Sequence, residues 1–237
     1  MIFLIFLAQI ILGLPFYKSN PHLSEFIPNI FLLFWIFYKK RPWINELLMT
    51  QTKKIEKKNL NISIVFCILV PLLINFAYMI FDRKGFEAEV FKYTSTFAKD
   101  LSILALINII IMAPICEEIF FRGFIFSKLK TIYKPIIAIL VSALFFSIVH
   151  GTFIQQVIVW VYGIVYCYFY YKTGNLRMSI LAHFLNNLIA SIPLILFYFN
   201  IEGYFTPVVI IFDSVLKFII YYIVFNKLND RIEEMTL

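Results

Sequence analysis

The chain of 237 residues is far more apolar than a soluble protein. Hydrophobic residues make up 62% of it and charged residues only 15%, against about half and about a quarter in ordinary soluble domains. This composition excludes a soluble globular protein, a disordered chain and a soluble secreted protein. Because apolar runs recur along the whole length, the sequence predicts a single membrane-embedded domain over residues 1–237.

The net charge of +7 comes from short basic clusters between the apolar runs. That arrangement is typical of the cytoplasmic loops of membrane proteins, so we predict no nucleic-acid partner. The three cysteines lie in or at the ends of apolar runs and form no CxxC pair, which favours neither a disulfide framework nor a thiolate metal site. We predict no cofactor.

Eight apolar stretches predict an all-α bundle of about eight transmembrane helices. The runs are continuous, whereas the strands of a membrane barrel would alternate. The first is expected to be a retained span because it lacks the basic leading region of a signal peptide. The second is short and is either a span or a re-entrant segment, so seven spans is the alternative. In chain order the stretches are residues 2–17, 26–38, 61–81, 101–126, 135–152, 154–171, 178–199 and 206–225.

The lysines and arginines predict the orientation of the bundle. With eight spans, most of them fall in loops on one side of the membrane, and the positive-inside rule makes that side cytoplasmic. Both termini are then cytoplasmic as well. Residues 86–100 mix polar and apolar side chains and are predicted to form an amphipathic interfacial helix. The basic loops cover residues 39–58, 128–134, 172–177 and 227–231.

Three of the apolar stretches carry polar side chains whose insertion into a membrane is unfavourable in free energy. An ionisable group inside a span costs at least about 2.5 kcal/mol on insertion scales, which makes it a functional candidate by default. Depths estimated at about 1.5 Å per helical residue allow these groups to meet near the middle of the membrane. The residues are Glu117, Glu118, Arg122, His150, His183 and Asn187.

Helical spacing predicts which carboxylate of the first stretch is available for chemistry. Glu118 and Arg122 are four residues apart and share a helix face, so we expect them to form an ion pair. Glu117 then points about 100° away from that face. The pattern therefore predicts a neutralised supporting pair beside a second carboxylate.

The other two stretches each contribute a histidine. His183 and Asn187 are four residues apart and can direct their side chains at one point. Phe146 lies one turn before His150 and is expected to pack beside it. Three predicted helices therefore each offer one polar face to a common site.

A buried glutamate and histidine can together hold and deprotonate a water molecule, which makes hydrolysis the natural reaction. The tetrahedral intermediate of peptide hydrolysis needs hydrogen-bond donors at its oxyanion, and His183 with Asn187 can supply two. A zinc site is the main alternative, with Glu117, His150 and His183 as three protein ligands and water as the fourth. Nucleophilic catalysis by Cys116 is disfavoured, because its apolar surroundings raise the pKa of a thiol.

The three motifs Glu117-Glu118-x-x-x-Arg122, Phe146-x-x-x-His150 and His183-x-x-x-Asn187 resemble those of the CAAX protease and bacteriocin-processing (CPBP) family. These intramembrane glutamic endopeptidases include the Abi type and are related to type II CAAX prenyl endopeptidases. Phe126, four residues after Arg122, adds to the resemblance, and the motif core spans residues 117–187.

The resemblance implies an eight-helix membrane bundle whose cavity opens toward the cytoplasm. Glu117 and His150 would activate water, His183 and Asn187 would stabilise the oxyanion, and Glu118 and Arg122 would support the site. The expected substrate is a hydrophobic peptide or a lipid-modified protein at the membrane lipids. In a bacterial plasma membrane the expected task is peptide or leader maturation, bacteriocin processing or self-immunity.

Two rival functions use the same residues differently. A transporter would use the buried glutamate and histidines as a proton relay, but its typical inverted repeats are not evident in the sequence. A non-enzymatic immunity protein would bind a peptide toxin in the cavity and would tolerate loss of Glu117. Asp213 and Lys217 are four residues apart in the last stretch, and a structural ion pair is the favoured interpretation over a cavity lining.

Overall fold

The computed structural model describes residues 27, 29–30, 53–88, 102–198 and 207–234, and these residues form helices and turns without any strand. The predicted all-α fold is confirmed. Two predicted stretches, 2–17 and 26–38, lie outside the described residues except for helical positions 27, 29 and 30, and so does most of the predicted interfacial helix. The six long helices are α1 (Lys57–Phe81), α2 (Ile103–Leu129), α3 (Pro135–Ile148), α4 (Phe153–Thr173), α5 (Leu176–Tyr198) and α6 (Pro207–Glu234).

Within the part of the chain that the structure describes, four helices are long and apolar enough to cross a membrane. They are α1, α2, α4 and the segment Val209–Ile232 of α6, with 25, 27, 21 and 24 residues respectively, against about 20 needed to cross the hydrocarbon core. The segments Pro135–Ile148 and Leu176–Ile192 are shorter apolar helices. The chain is therefore a polytopic, helical membrane protein.

The turn between α3 and α4 corrects one prediction. A helix was expected over residues 135–152, with His150 inside it, but α3 ends at Ile148 and His150 lies in the following turn. The reason is local, because Thr152 has extended backbone and its side chain accepts a hydrogen bond from the Gln155 amide. Thr152 thus caps the start of α4, and helix α3 cannot run through it.

Helix α4 lies at the centre of the bundle and packs against α1, α3 and α5. One core cluster joins α1, α4, α5 and α6, and a second joins α2, α3, α4 and α5. Helices α3 and α4 approach each other closely at Gly163, where an added Cβ would lie 3.1 Å from the Phe146 ring and 3.2 Å from the Ala143 Cβ. This glycine brings the Phe146 and His150 segment close to the centre.

Helix α2 contains two stretches of wider π-helical turns, Asn108–Met112 and Ile119–Phe126. Such turns are rare and often occur at functional sites. They interrupt the regular pairing of backbone groups, so some carbonyl oxygens can accept bonds from neighbouring helices. Two of these carbonyls, from Ile109 and Phe121, accept hydrogen bonds from α5 and α3.

The last helix carries the predicted ion pair between Asp213 and Lys217. Lys217 Nζ lies 2.8 Å from Asp213 Oδ2, and Lys217 is buried. The ammonium group also lies 5.7 Å from the centroid of the Tyr162 ring on α4. The pair therefore joins α6 to the central helix, as expected for a structural role.

Candidate active site

Glu118 is the centre of a fully buried polar cluster. Its Oε1 lies 2.9 Å from Nη1 of Arg122 and 3.0 Å from Nδ1 of His183, and its Oε2 accepts a hydrogen bond from Ser179. One carboxylate thus joins α2 to two positions on α5. The predicted pair of Glu118 and Arg122 is confirmed.

Arg122 is fully buried and reaches a third helix. Its Nη2 donates to the carbonyl of Gly163 at 3.1 Å, and its guanidinium carbon lies 4.2 Å from the centroid of the Phe146 ring. A buried cation needs a counter-charge. Glu118 supplies it, the Gly163 carbonyl accepts from Nη2, and the Phe146 ring lies against the guanidinium group.

His183 lies between the two adjacent glutamates. A carboxylate can only accept, so Nδ1 carries the proton in its 3.0 Å contact with Glu118. The other nitrogen, Nε2, lies 3.8 Å from Oε2 of Glu117. A proton on Nε2 would therefore point toward the Glu117 carboxylate.

Glu117 differs from Glu118 in its access to the surroundings. The side chain of Glu117 is 33% exposed, whereas that of Glu118 is 0% exposed. The adjacent position on the helix turns Glu117 away from Arg122, as the spacing predicts. Of the two carboxylates, Glu117 is the one that water or a substrate can reach.

Phe146 connects the second motif to the other two. Its ring centroid lies 4.8 Å from that of His150 and 5.5 Å from that of His183. Nδ1 of His150 contacts the Phe146 carbonyl oxygen at 2.8 Å, and since a carbonyl only accepts, Nδ1 carries the proton. The Nε2 of a neutral His150 therefore has the lone pair that can take a proton from water.

Asn187 is held by the first π-helical stretch of α2. Its Nδ2 donates to the Ile109 carbonyl at 2.9 Å, and its Oδ1 accepts from Asn186 at 3.2 Å. An amide nitrogen has two hydrogens, so one remains for a ligand. Asn187 lies one turn beyond His183 on the same face of α5.

The three residues of the zinc alternative do not gather into a ligand set. Within residues 53–88, 102–198 and 207–234, no three Asp, Glu, His or Cys side chains are close enough to share a metal ion. The fallback ligands Glu117, His150 and His183 therefore do not fit a zinc site in this geometry. Cys116 is buried, and its Sγ lies 3.7 Å from the Asn29 carbonyl oxygen.

Ser179 and Tyr166 are two site residues that the sequence reasoning missed. Ser179 donates to Glu118, and Tyr166 stacks on His183 with ring centroids 5.1 Å apart and planes at 21°. The sequence contains a signal for Ser179, because Ser179, His183 and Asn187 are spaced four residues apart and therefore share one helix face. No sequence signal identifies Tyr166, since it lies on another helix among many aromatic residues.

Comparison with known families gives a match over the segment that builds this site. The model of the family "Type II CAAX prenyl endopeptidase Rce1-like" matches residues 99–189. This segment is therefore similar to the Rce1-like family. The match contains all three motifs and the helices α2 to α4 with the first part of α5, so it confirms the family resemblance of the sequence motifs.

A curated relative extends the similarity beyond that segment. The uncharacterized protein YyaK of Bacillus subtilis (strain 168) is 24% identical over 190 residues, which cover 72% of this chain and 61% of the relative. The chain thus spans less than two thirds of that relative's length. No solved structure matches the chain.

Proposed function

We propose that the chain is an intramembrane glutamic endopeptidase that hydrolyses hydrophobic, membrane-associated peptides or lipid-modified proteins. The observation that carries this proposal is the different exposure of two adjacent carboxylates. Glu118 is enclosed with Arg122, His183 and Ser179, whereas Glu117 is one third exposed beside His183. The Rce1-like match over residues 99–189 supports the assignment to a membrane protease.

In the proposed mechanism, Glu117 and His150 activate the attacking water. The carboxylate accepts its proton, and Nε2 of His150 shares that proton and later delivers it to the leaving amine. Attack of hydroxide on the scissile carbonyl then creates an oxyanion. Hydrolysis consumes one water and releases a carboxylate and an amine, so no covalent enzyme intermediate is required.

His183 and Asn187 are proposed to bind the oxyanion. Nε2–H of His183 and the second Nδ2 hydrogen of Asn187 are donors from the same face of α5. Glu118 holds the imidazole by Nδ1, and the Ile109 carbonyl holds the amide. Donors fixed in advance stabilise developing charge without reorganisation, which is the largest single contribution in many hydrolases.

The surroundings of α2 and α5 support a hydrophobic substrate. An apolar groove of about 340 Å³ lies between these helices, and its lining does not include Glu117 or His183. A peptide segment with aliphatic or lipid character suits such a lining. The lining residues are Ile111, Ile115, Arg177, Ile180, Leu181 and Phe184.

The proposed setting is a bacterial plasma membrane with the active site open to the cytoplasm. The Bacillus subtilis relative supports a bacterial origin. The exposed cations Lys128, Lys130, Lys134 and Lys172 lie at the end of α2, the start of α3 and the end of α4, and the positive-inside rule makes this end cytoplasmic. Maturation of a peptide or leader, bacteriocin processing and self-immunity are the roles that fit.

Cleavage of a quenched peptide library tests the proposed activity. Wild type in liposomes should cleave a subset of hydrophobic peptides, prenylated ones included, and Glu117→Ala should cleave none, because it lacks the proton acceptor. Equal melting temperatures of the two proteins serve as the folding control. If neither protein cleaves any peptide and Glu117→Ala still protects cells from a bacteriocin, the non-enzymatic immunity alternative replaces this proposal.

A further inference from the structure

The orientation of the His183 ring depends on more than its hydrogen bond to Glu118. Contact at Nδ1 fixes one corner of the imidazole, but the ring can still tilt about that corner. Such a tilt would move Nε2, the atom that lies 3.8 Å from Glu117 and is proposed to meet the oxyanion. A second restraint on the ring plane is therefore needed for a defined geometry.

The Tyr166 side chain supplies a flat surface for that ring. The two rings are nearly parallel, with an interplanar angle of 21° and a centroid distance of 5.1 Å. Phe146 contacts the same imidazole at 5.5 Å with an interplanar angle of 83°. Tyr166 and Phe146 thus bound the ring from two directions, and Tyr166 sets its plane.

Tyr166 packs in a core cluster that includes helix α6. It is 1% exposed and packs in one core cluster with Tyr221 of α6. The Tyr221 hydroxyl donates to the carbonyl of Ala182, the residue before His183. Tyr221 therefore bonds to the backbone that carries His183 and lies in the same core cluster as the ring that stacks on it.

We propose that Tyr166 is a positioning residue for His183 and that Tyr221 couples helix α6 to the active site through it. Tyr221 lies outside the segment that matches the Rce1-like family, so this part of the site is contributed by the C-terminal helix. The inference rests on the proposed function for its catalytic consequence. Its structural claim, that Tyr166 fixes the His183 ring plane, stands apart from activity.

Histidine NMR tests the structural claim directly, because the chain has only three histidines. Protein with ¹³C-labelled histidine should give one sharp Cε1–H signal for His183, assigned by its loss in His183→Gln. Tyr166→Leu should broaden or double this signal, and Tyr166→Phe should leave it single. Phe169→Leu is the matched control, since Phe169 is equally buried on the same helix but packs against Phe225.

Kinetics test the catalytic consequence. Tyr166→Leu should lower kcat about 10- to 100-fold, as expected for a displaced catalytic group, with KM changed less than about twofold because substrate contacts remain. Tyr166→Phe should keep a kcat close to that of wild type, because it retains the aromatic ring. Tyr166→Met provides a longer and more flexible side chain than leucine, also without a ring, and replaces the leucine variant if that variant does not fold.

The outcomes separate this inference from the proposed function. A single His183 signal in Tyr166→Leu, or a kcat equal to that of Phe169→Leu, overturns the positioning role even when wild type is an active protease. If wild type cleaves nothing but Tyr166→Leu alone broadens the His183 signal, the hydrolase proposal fails and the structural role of Tyr166 holds.

Discussion

Replacement of Glu117 by glutamine is expected to lower kcat/KM by about 10²- to 10⁴-fold, the usual contribution of a general base. The amide has nearly the same shape, but it cannot accept the proton of the attacking water. Because Glu117 is one third exposed and Arg122 is paired with Glu118, the melting temperature of the Glu117→Gln variant should stay close to that of wild type. The measurement is the initial rate of cleavage of one quenched peptide in liposomes.

The adjacent residue provides the matched control. Glu118→Gln makes the same chemical change one position later, but it removes the counter-charge of the buried Arg122. We expect this variant to have a lower melting temperature than wild type. At temperatures where it is still folded, it should keep a measurable rate of cleavage. The assignment would be contradicted if Glu118→Gln were stable and inactive while Glu117→Gln stayed active. That result would make Glu118 the proton acceptor instead of Glu117.

Loss of the Arg122 cation is expected to have the largest effect on stability. Arg122→Leu leaves the fully buried Glu118 without its counter-charge, and breaking a buried ion pair in this way costs about 3–5 kcal/mol. The midpoint of unfolding in mixed detergent and SDS micelles should therefore shift strongly. The double variant Arg122→Leu with Glu118→Gln should recover part of the loss, because no unpaired charge remains.

An exposed pair on the same chain shows whether burial is the cause. Arg83 and Glu87 are also four residues apart, at 2.8 Å, but their side chains are 79% and 59% exposed. Arg83→Leu should leave the unfolding midpoint almost unchanged, since water solvates both groups. Equal shifts for Arg83→Leu and Arg122→Leu would show that the Arg122 pair does not have the stabilising role assigned to it.

The sequence predicted the helices and the pairs within them, because both follow from local spacing. Six apolar stretches correspond to α1 to α6, and the pairs Glu118–Arg122 and Asp213–Lys217 formed as their four-residue spacing required. The end of α3 was missed. Thr152 was not recognised as a helix cap, so His150 was placed in a helix instead of the turn before α4.

Contacts between helices could not be predicted in the same way. The stack of Tyr166 on His183 and the bond from Arg122 to the Gly163 carbonyl depend on the rotation of each helix about its own axis. Apolar residues surround most faces of these helices, so hydropathy does not define that rotation. The π-helical turns of α2 change the rotation further, and they exposed the Ile109 carbonyl that holds Asn187.

In the proposed mechanism, the side chains of Glu117 and His150 activate water without a metal ion. Its most direct test is the rate of peptide cleavage by wild type after dialysis against a strong chelator, measured before and after zinc is added back. The same kcat/KM is expected in all three samples. Loss of cleavage in chelator with recovery on added zinc would contradict it and would make Glu117, His150 and His183 metal ligands.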